Sequence, residues 1–230
     1  MNLLVLFDID GTLVLTGRAG VRGMNLAFGD LYGRTRALDG VAIAGRTDRA
    51  IVIDAMRGIG VEPTDAAIAA LRDAYVGHLA VEIKRTPVDH PSLVLPGIAA
   101  LLDALSTTPG VTTALLTGNF VRGAAIKLTH FGLWDRFQFG AFGDSHVDRR
   151  DLVPIALDQA RAAGVPDSQH VVIIGDTPHD IDCAQAHGAR AIAVATGTFD
   201  RAALDAAGAD LTLETLEPTG QIMEWLAALA

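Results

Sequence analysis

The chain has 230 residues, half of them hydrophobic and a fifth charged, with 18 Lys and Arg against 27 Asp and Glu for a formal charge of −9. That balance fits a globular chain rather than a disordered one, and an acidic chain lacks the clustered cations that phosphate-backbone contacts need, which argues against nucleic acid as a partner. The single cysteine, Cys183, excludes an intrachain disulfide and a Cys-rich zinc site, and no run of about 18 apolar residues spans a bilayer.

Taken in chain order, Leu3 to Phe7 is a continuous apolar run ending at Asp8. A short run without alternation suits a strand buried on both faces of a parallel sheet. Val111 to Leu116, Val171 to Ile174 and Ala191 to Ala195 read the same way. Phe137 to Phe142 is a weaker, glycine-containing strand, and Leu211 to Leu213 a short edge strand. Helical patterns at Ile98–Leu105, Val121–His130, Leu152–Ala163 and Asp180–His187 separate these runs, which predicts βαβ units. Gly164 and Gly188 stand just past two of the helices, where a glycine is favoured. The stretch from Arg18 to Leu93 breaks the rhythm. Met24–Tyr32, Ile51–Met56 and Asp65–Glu82 read as helices with no buried strand between them, and Pro87, Pro91 and Pro96 punctuate the return. An inserted helical module follows the first strand.

Chemistry concentrates at the ends of the apolar runs. Asp8-Ile-Asp10-Gly11-Thr12 puts two carboxylates at i and i+2, on one side of a strand end, with Gly11 permitting a tight turn. Burying like charges together is costly without a cation or proton. Leu116-Thr117-Gly118-Asn119 offers a hydroxyl and backbone N–H groups at a helix start, an anion site or a simple cap. Gly175-Asp176-Thr177-Pro178-His179-Asp180 lies at a third strand end. Asp176 is placed to join the first pair, and three hard oxygen ligands suit Mg²⁺.

Asp8 to Thr12 and Gly175 to Asp180, in this order and with the inserted module, resemble the haloacid dehalogenase-like hydrolase superfamily, most closely its phosphoglycolate phosphatase and β-phosphoglucomutase type. The resemblance covers essentially the whole chain. It implies an α/β fold: a Rossmann-like parallel core of strand order 5-4-1-2-3, flanked by helices and built from 1–16 and 94–230, with a helical cap at 17–93. It implies a Mg²⁺-dependent phosphatase acting on a small phosphorylated metabolite. Asp8 would form an aspartyl-phosphate, and Asp10 would serve as acid and then base. Mg²⁺ would be held by Asp8, Asp176 and the backbone carbonyl of Asp10, while Thr117 and the backbone of Gly118 and Asn119 would hold the phosphoryl oxygens. A phosphosugar mutase is the alternative. Haloacid dehalogenation is disfavoured because those enzymes lack the second aspartate.

One departure stands out. The family's third motif is a lysine, and here that region reads Asp148-Arg149-Arg150-Asp151. The chain has two lysines, Lys84 and Lys127. Lys127, reaching back along its helix, is the first choice for the missing cation and Arg149, with its guanidinium fork, the second, ahead of Arg150. In the cap, Arg46 is expected to meet a second anionic group of the substrate. Lys84 reads as a surface residue, and Trp134 and Trp225 as packing anchors. Without a leader-like segment, the chain is expected in the cytoplasm as a monomer or homodimer, with no membrane partner.

Overall fold

The computed structural model describes residues 2–85, 87–166 and 170–229. The first apolar run forms strand β1 (Leu3–Phe7), all five residues buried. Its side chains alternate between two cores, as the period of two in a strand requires. Leu3, Val5 and Phe7 enter one cluster and Leu4 and Leu6 the other. β1 pairs in parallel with β4 (Val111–Thr117) on one side and with β6 (His170–Gly175) on the other. β5 (Gly140–Phe142) extends the sheet beyond β4, and β7 (Arg190–Val194) and β8 (Leu211–Leu213) extend it beyond β6. Every pairing in this six-stranded sheet is parallel.

Counted by the five expected core strands, the order is the anticipated 5-4-1-2-3. It differs in the sixth strand, β8, which takes the edge outside the fifth. The expected Phe137–Phe142 strand shrinks to its last three residues, preceded by a 3-10 turn at Trp134–Arg136. Phe137 turns inward against Phe7, ring centroids 5.9 Å apart.

Helices cover both faces. α4 (Ile98–Thr107), α5 (Val121–His130) and α9 (Thr219–Ala227) pack on one, with Trp134 and Trp225 partly buried against the same cluster. α6 (Leu152–Ala162), α7 (Pro178–Ala186) and α8 (Arg201–Ala206) pack on the other.

A third apolar cluster belongs to α1 (Ala19–Tyr32), α2 (Asp48–Gly58) and α3 (Asp65–Glu82), joined by Phe120 from the sheet side. α1 begins five residues before its expected start. Arg18, left-handed at φ 60°, precedes it without a side-chain cap, so the usual Ser/Asp signal is missing. Gly20 and Gly23 resemble breakers, yet Gly23 allows close packing: a Cβ there would lie 3.2 Å from the Leu79 backbone of α3. The proline-punctuated return pairs with the outgoing crossing as antiparallel strands, β2 (Val14–Thr16) with β3 (Ser92–Val94).

Candidate active site

The carboxyl ends of β1, β4 and β6 are adjacent. Ladder registers place Phe7 opposite both Leu115 and Ile174, so Asp8, Thr117 and Asp176 emerge side by side. Such a switch point, where the chain crosses to either side of the first strand, is where open α/β sheets bind ligands.

Asp8 is buried, and its N–H donates to the Ile174 carbonyl at 3.0 Å. Asp8, Asp176 and Asp180 each bring a carboxylate oxygen within 4.8 Å of the others. Three buried carboxylates face one buried guanidinium, Arg149. Its Nη2 lies 2.5 Å from Asp180 and 3.1 Å from Asp8. Burial, opposed by Arg149 and reinforced by Asp180 and Asp10, pushes the Asp8 carboxyl up to about 6. Burial, Asp180 and Asp8 raise Asp176 well above the usual range, against Arg149 and the Thr12 hydroxyl, which donates to it at 3.2 Å. Burial opposes the charge on Arg149, but Asp180 and Asp8 hold it protonated. The surplus of hard, anionic oxygen over cation is the donor chemistry a divalent metal fits.

The local sequence explains this convergence. Gly11 is left-handed at φ 80°, and a Cβ there would collide with the Asp176 carboxylate. Asp180 accepts from the Thr177 N–H at 3.1 Å and from the Thr177 hydroxyl at 2.7 Å, which fixes its first oxygen at the start of α7 and leaves the other for Arg149. Asp148 accepts from the Arg150 N–H and starts the 3-10 turn Arg149–Asp151 that aims Arg149 inward.

Asp10 is differently placed. Its side chain is 43% exposed and takes no part in the carboxylate cluster. Lys127, buried in α5, donates to Asp10 at 2.5 Å and to the Asn119 amide oxygen at 2.6 Å. The Asn119 amide nitrogen donates to Asp10 at 2.9 Å and to the Thr117 hydroxyl at 2.8 Å. The expectation that Lys127 stands on Asp8 is therefore corrected: Arg149 contacts Asp8 and Lys127 contacts Asp10. The fork of Arg149 enters beside β1 from the turn ahead of α6, whereas Lys127 rises from α5 on the Asp10 side. Arg150 is exposed, paired with Asp148 and close to Asp182. The side chain of Asn119, which joins Thr117, Lys127 and Asp10, went unnoticed in the sequence, where only its backbone was considered.

The loop at Gly45–Asp48 closes over these groups. The Asp48 N–H donates to the Gly118 carbonyl at 2.7 Å, and its carboxylate accepts from the Phe120 N–H at 2.8 Å. Thr47 donates to the Val147 carbonyl at 3.1 Å, and Arg149 to the Gly45 carbonyl at 3.1 Å. Gly118 must lack a Cβ, which would strike the Arg46 carbonyl. Burial lifts the Asp48 carboxyl to about 6 against Lys127 and the Phe120 N–H.

Asp48 and Asp144 take the Phe120 and Val121 amides at the start of α5, while Gly118 and Asn119 line the cavity beneath. Arg46 lines it too, but its guanidinium is bound to the Ala42 carbonyl at 3.2 Å and to Asp54 at 2.8 Å. Its expected role toward a second substrate anion would require it to exchange the Asp54 pairing. Lys84 is exposed, and His78 pairs with Asp30 at 2.7 Å; neither lines the cavity.

A parallel α/β sheet with paired aspartates at its first strand end, a third at the adjoining strand and a helical insert between them is the build of one known family. The chain belongs to the haloacid dehalogenase-like hydrolase family, whose model matches residues 5–185. It is 30% identical over 198 residues to the tyrosine-protein kinase PtkA of Mycobacterium tuberculosis, covering 84% of this chain and 62% of that one. The chain thus spans under two thirds of that relative's length. It is 30% identical over 209 residues to a phosphoglycolate phosphatase of Agrobacterium fabrum, covering 87% of this chain and 83% of that one. Among solved structures it resembles CbbY from Rhodobacter sphaeroides in complex with phosphate, at a TM-score of 0.70 and 22% identity over 96% of this chain and 97% of that one. A hydrolase from Pseudomonas syringae matches at 0.69 and 20% identity, over 98% and 99% of the two chains. These two likenesses concern the fold. Among the described residues no helix is long and apolar enough to cross a membrane.

Proposed function

We propose that the chain is a Mg²⁺-dependent phosphatase of small phosphate monoesters that works through an aspartyl-phosphate on Asp8. The observation that carries this is a buried aspartate at the end of β1, held by Arg149 on one oxygen, with a second, partly exposed aspartate two residues on facing the same cavity.

Asp8 attacks phosphorus while the ester P–O bond breaks, and Asp10 delivers its proton to the departing oxygen. Asp10 then takes a proton from the water that attacks the aspartyl-phosphate; the acyl P–O bond breaks, inorganic phosphate leaves, and Asp8 returns as carboxylate and Asp10 as the protonated acid. Lys127 and Asn119 fix the Asp10 carboxylate on the cavity side between these two duties. Arg149 orients Asp8 and offsets its repulsion with Asp180. Thr117 and the Gly118 and Asn119 backbone receive the phosphoryl oxygens. Asp8, Asp176 and the Asp10 carbonyl would hold Mg²⁺, with Asp180 behind them. The ion would supply positive charge against the repulsion between phosphate and carboxylate. Residues 17–93 act as the cap over a core of 1–16 and 94–230, seated through Gly45–Asp48.

The Agrobacterium phosphoglycolate phosphatase supports the phosphatase reading. No observation favours the mutase, since the His78–Asp30 pair and Lys84 stand away from the cavity. Asp8→Asn should abolish Mg²⁺-dependent phosphate release from a metabolite panel while circular dichroism stays native. Asp10→Asn, given p-nitrophenyl phosphate whose leaving group needs no proton, should leave a phosphorylated protein detectable by intact mass. Turnover persisting in Asp8→Asn refutes the nucleophile.

A further inference from the structure

We infer that the alcohol carried by the substrate is an apolar, uncharged body, such as a branched alkyl or aryl group. It would be lodged under the cap, in place of a small leaving group bearing a second anion. The inference rests on the phosphatase reading and names the substrate class for that same site. The site opens into a cavity of about 680 Å³. That volume is far more than a phosphoryl group needs and lies within the roughly 300–1,000 Å³ of pockets that enclose drug-sized ligands.

The cap-side wall is made by Val21 and Met24 of α1, Leu38 and Ile43 of the following loop, Ile51 of α2 and Tyr75 of α3. Tyr75 adds one polar tip. Burial, with Asp48 and Asp10, keeps its phenol un-ionised, and a methyl on Gly20 would touch both that hydroxyl and the Lys127 ammonium at 3.5 Å.

The charges on the cavity wall point the same way. A second carboxylate or phosphate on the substrate needs a cation that is free to meet it. Lys127 is committed to Asp10, Arg149 to Asp8 and Asp180, and Arg46 to Asp54. On the buried part of the cap-side wall the remaining charge is Asp48, whose carboxylate repels a like charge. Arg18 lines the mouth of the same cavity, where it is exposed and pairs with no carboxylate among the described residues. A solvated guanidinium there is a weak anchor. An apolar body instead exchanges water for aliphatic and aromatic wall, which is favourable in proportion to area.

The test uses the full chain with Mg²⁺ and primary alkyl phosphates from ethyl to hexyl, whose leaving oxygens are chemically alike, beside phosphoglycolate. Burial of each methylene should raise kcat/KM about fourfold, and hexyl phosphate should exceed phosphoglycolate by at least tenfold. Alkylphosphonates, which are not hydrolysed, should bind more tightly by a similar factor per methylene in calorimetry. Val21→Asp and Ile43→Asp, at two half-buried wall positions, should each flatten the chain-length dependence.

The outcomes separate the two readings. Turnover with no chain-length dependence, or with phosphoglycolate preferred over hexyl phosphate, overturns the apolar assignment and leaves the phosphatase standing. A rising phosphonate affinity without turnover of any ester supports the apolar pocket and overturns the phosphatase. A dependence that survives in both variants overturns the placement under the cap.

Discussion

Asp48→Asn should stabilise this protein at neutral and alkaline pH. Asp48 is buried where the cap loop meets the start of α5, and burial lifts its carboxyl from 3.8 to about 6. A raised folded-state pKa means the folded chain binds the proton more tightly than the unfolded one. The wild-type carboxyl therefore adds no cost below about pH 3, where both states are protonated. The cost grows as pH rises through the window up to 6 and is complete above it. A shift from 3.8 to about 6 corresponds to about 3 kcal/mol at 1.36 kcal/mol per unit. Asparagine keeps an oxygen to accept from the Phe120 N–H, which Asp48 now does at 2.8 Å, but carries no charge. Urea unfolding of the two proteins should therefore coincide near pH 3 and diverge by up to about 3 kcal/mol by pH 8, in favour of the variant. Asp48→Ala strips the acceptor and leaves a buried N–H unpaired, at a cost of about 1–3 kcal/mol, so it should fall below Asp48→Asn at every pH. A difference between wild type and Asp48→Asn that does not change between pH 3 and 8, or that favours wild type at pH 8, refutes the reasoning.

Other perturbations test neighbouring contacts. Arg149→Met leaves Asp8, Asp176 and Asp180 without their shared cation and should cost about 3–5 kcal/mol in the absence of Mg²⁺. Added Mg²⁺ should restore much of that loss by mass action in a thermal melt, and equal melting of the two metal-free proteins would contradict the contact. Lys127→Ala frees the Asp10 carboxylate and should lower kcat by about 10²-fold, the lower end of what a positioned acid–base group contributes, whereas exposed Arg150→Ala should leave kcat within twofold; equal small losses would remove Lys127 from the mechanism. Gly118→Ala forces the Arg46 carbonyl away and should raise KM more than it lowers kcat, because the cap loop is displaced while Asp8 and Asp10 stay in place. Unchanged KM would show that the loop is not seated on Gly118 during turnover.

Much of the fold follows from local patterns. Buried on both faces, the parallel strands need no alternation and show as apolar runs, and Asp8, Asp10 and Asp176 stand one to three residues beyond such a run. The helices with a Thr, Asp or Pro at the start and a glycine past the end were legible for the same reason. α1 was not, because Arg18 begins it without a cap and its glycines serve close contact with α3. The β2–β3 pair was hidden because each strand has three residues and the two lie far apart in the chain. A cap drawn at 17–93 begins where β2 ends but takes in the first two residues of β3.

The order Asp8, Asp10, Asp176 and the insert after the first strand are properties of the sequence, since strand ends and motif order are written locally. Which cation serves which aspartate is not. Lys127 is 117 residues from Asp10, and Arg149 lies farther from Asp8; distance along the chain holds no record of direction. Only the packing of α5 and of the turn before α6 against the sheet decides that the lysine faces Asp10 and the arginine faces Asp8. The same holds for Arg46, whose charge is plain in the sequence but whose partner, Asp54, is chosen by one turn of α2. Tertiary structure alone also surrounds the site with an apolar wall, because that wall is assembled from three helices and a loop that meet only when the cap folds.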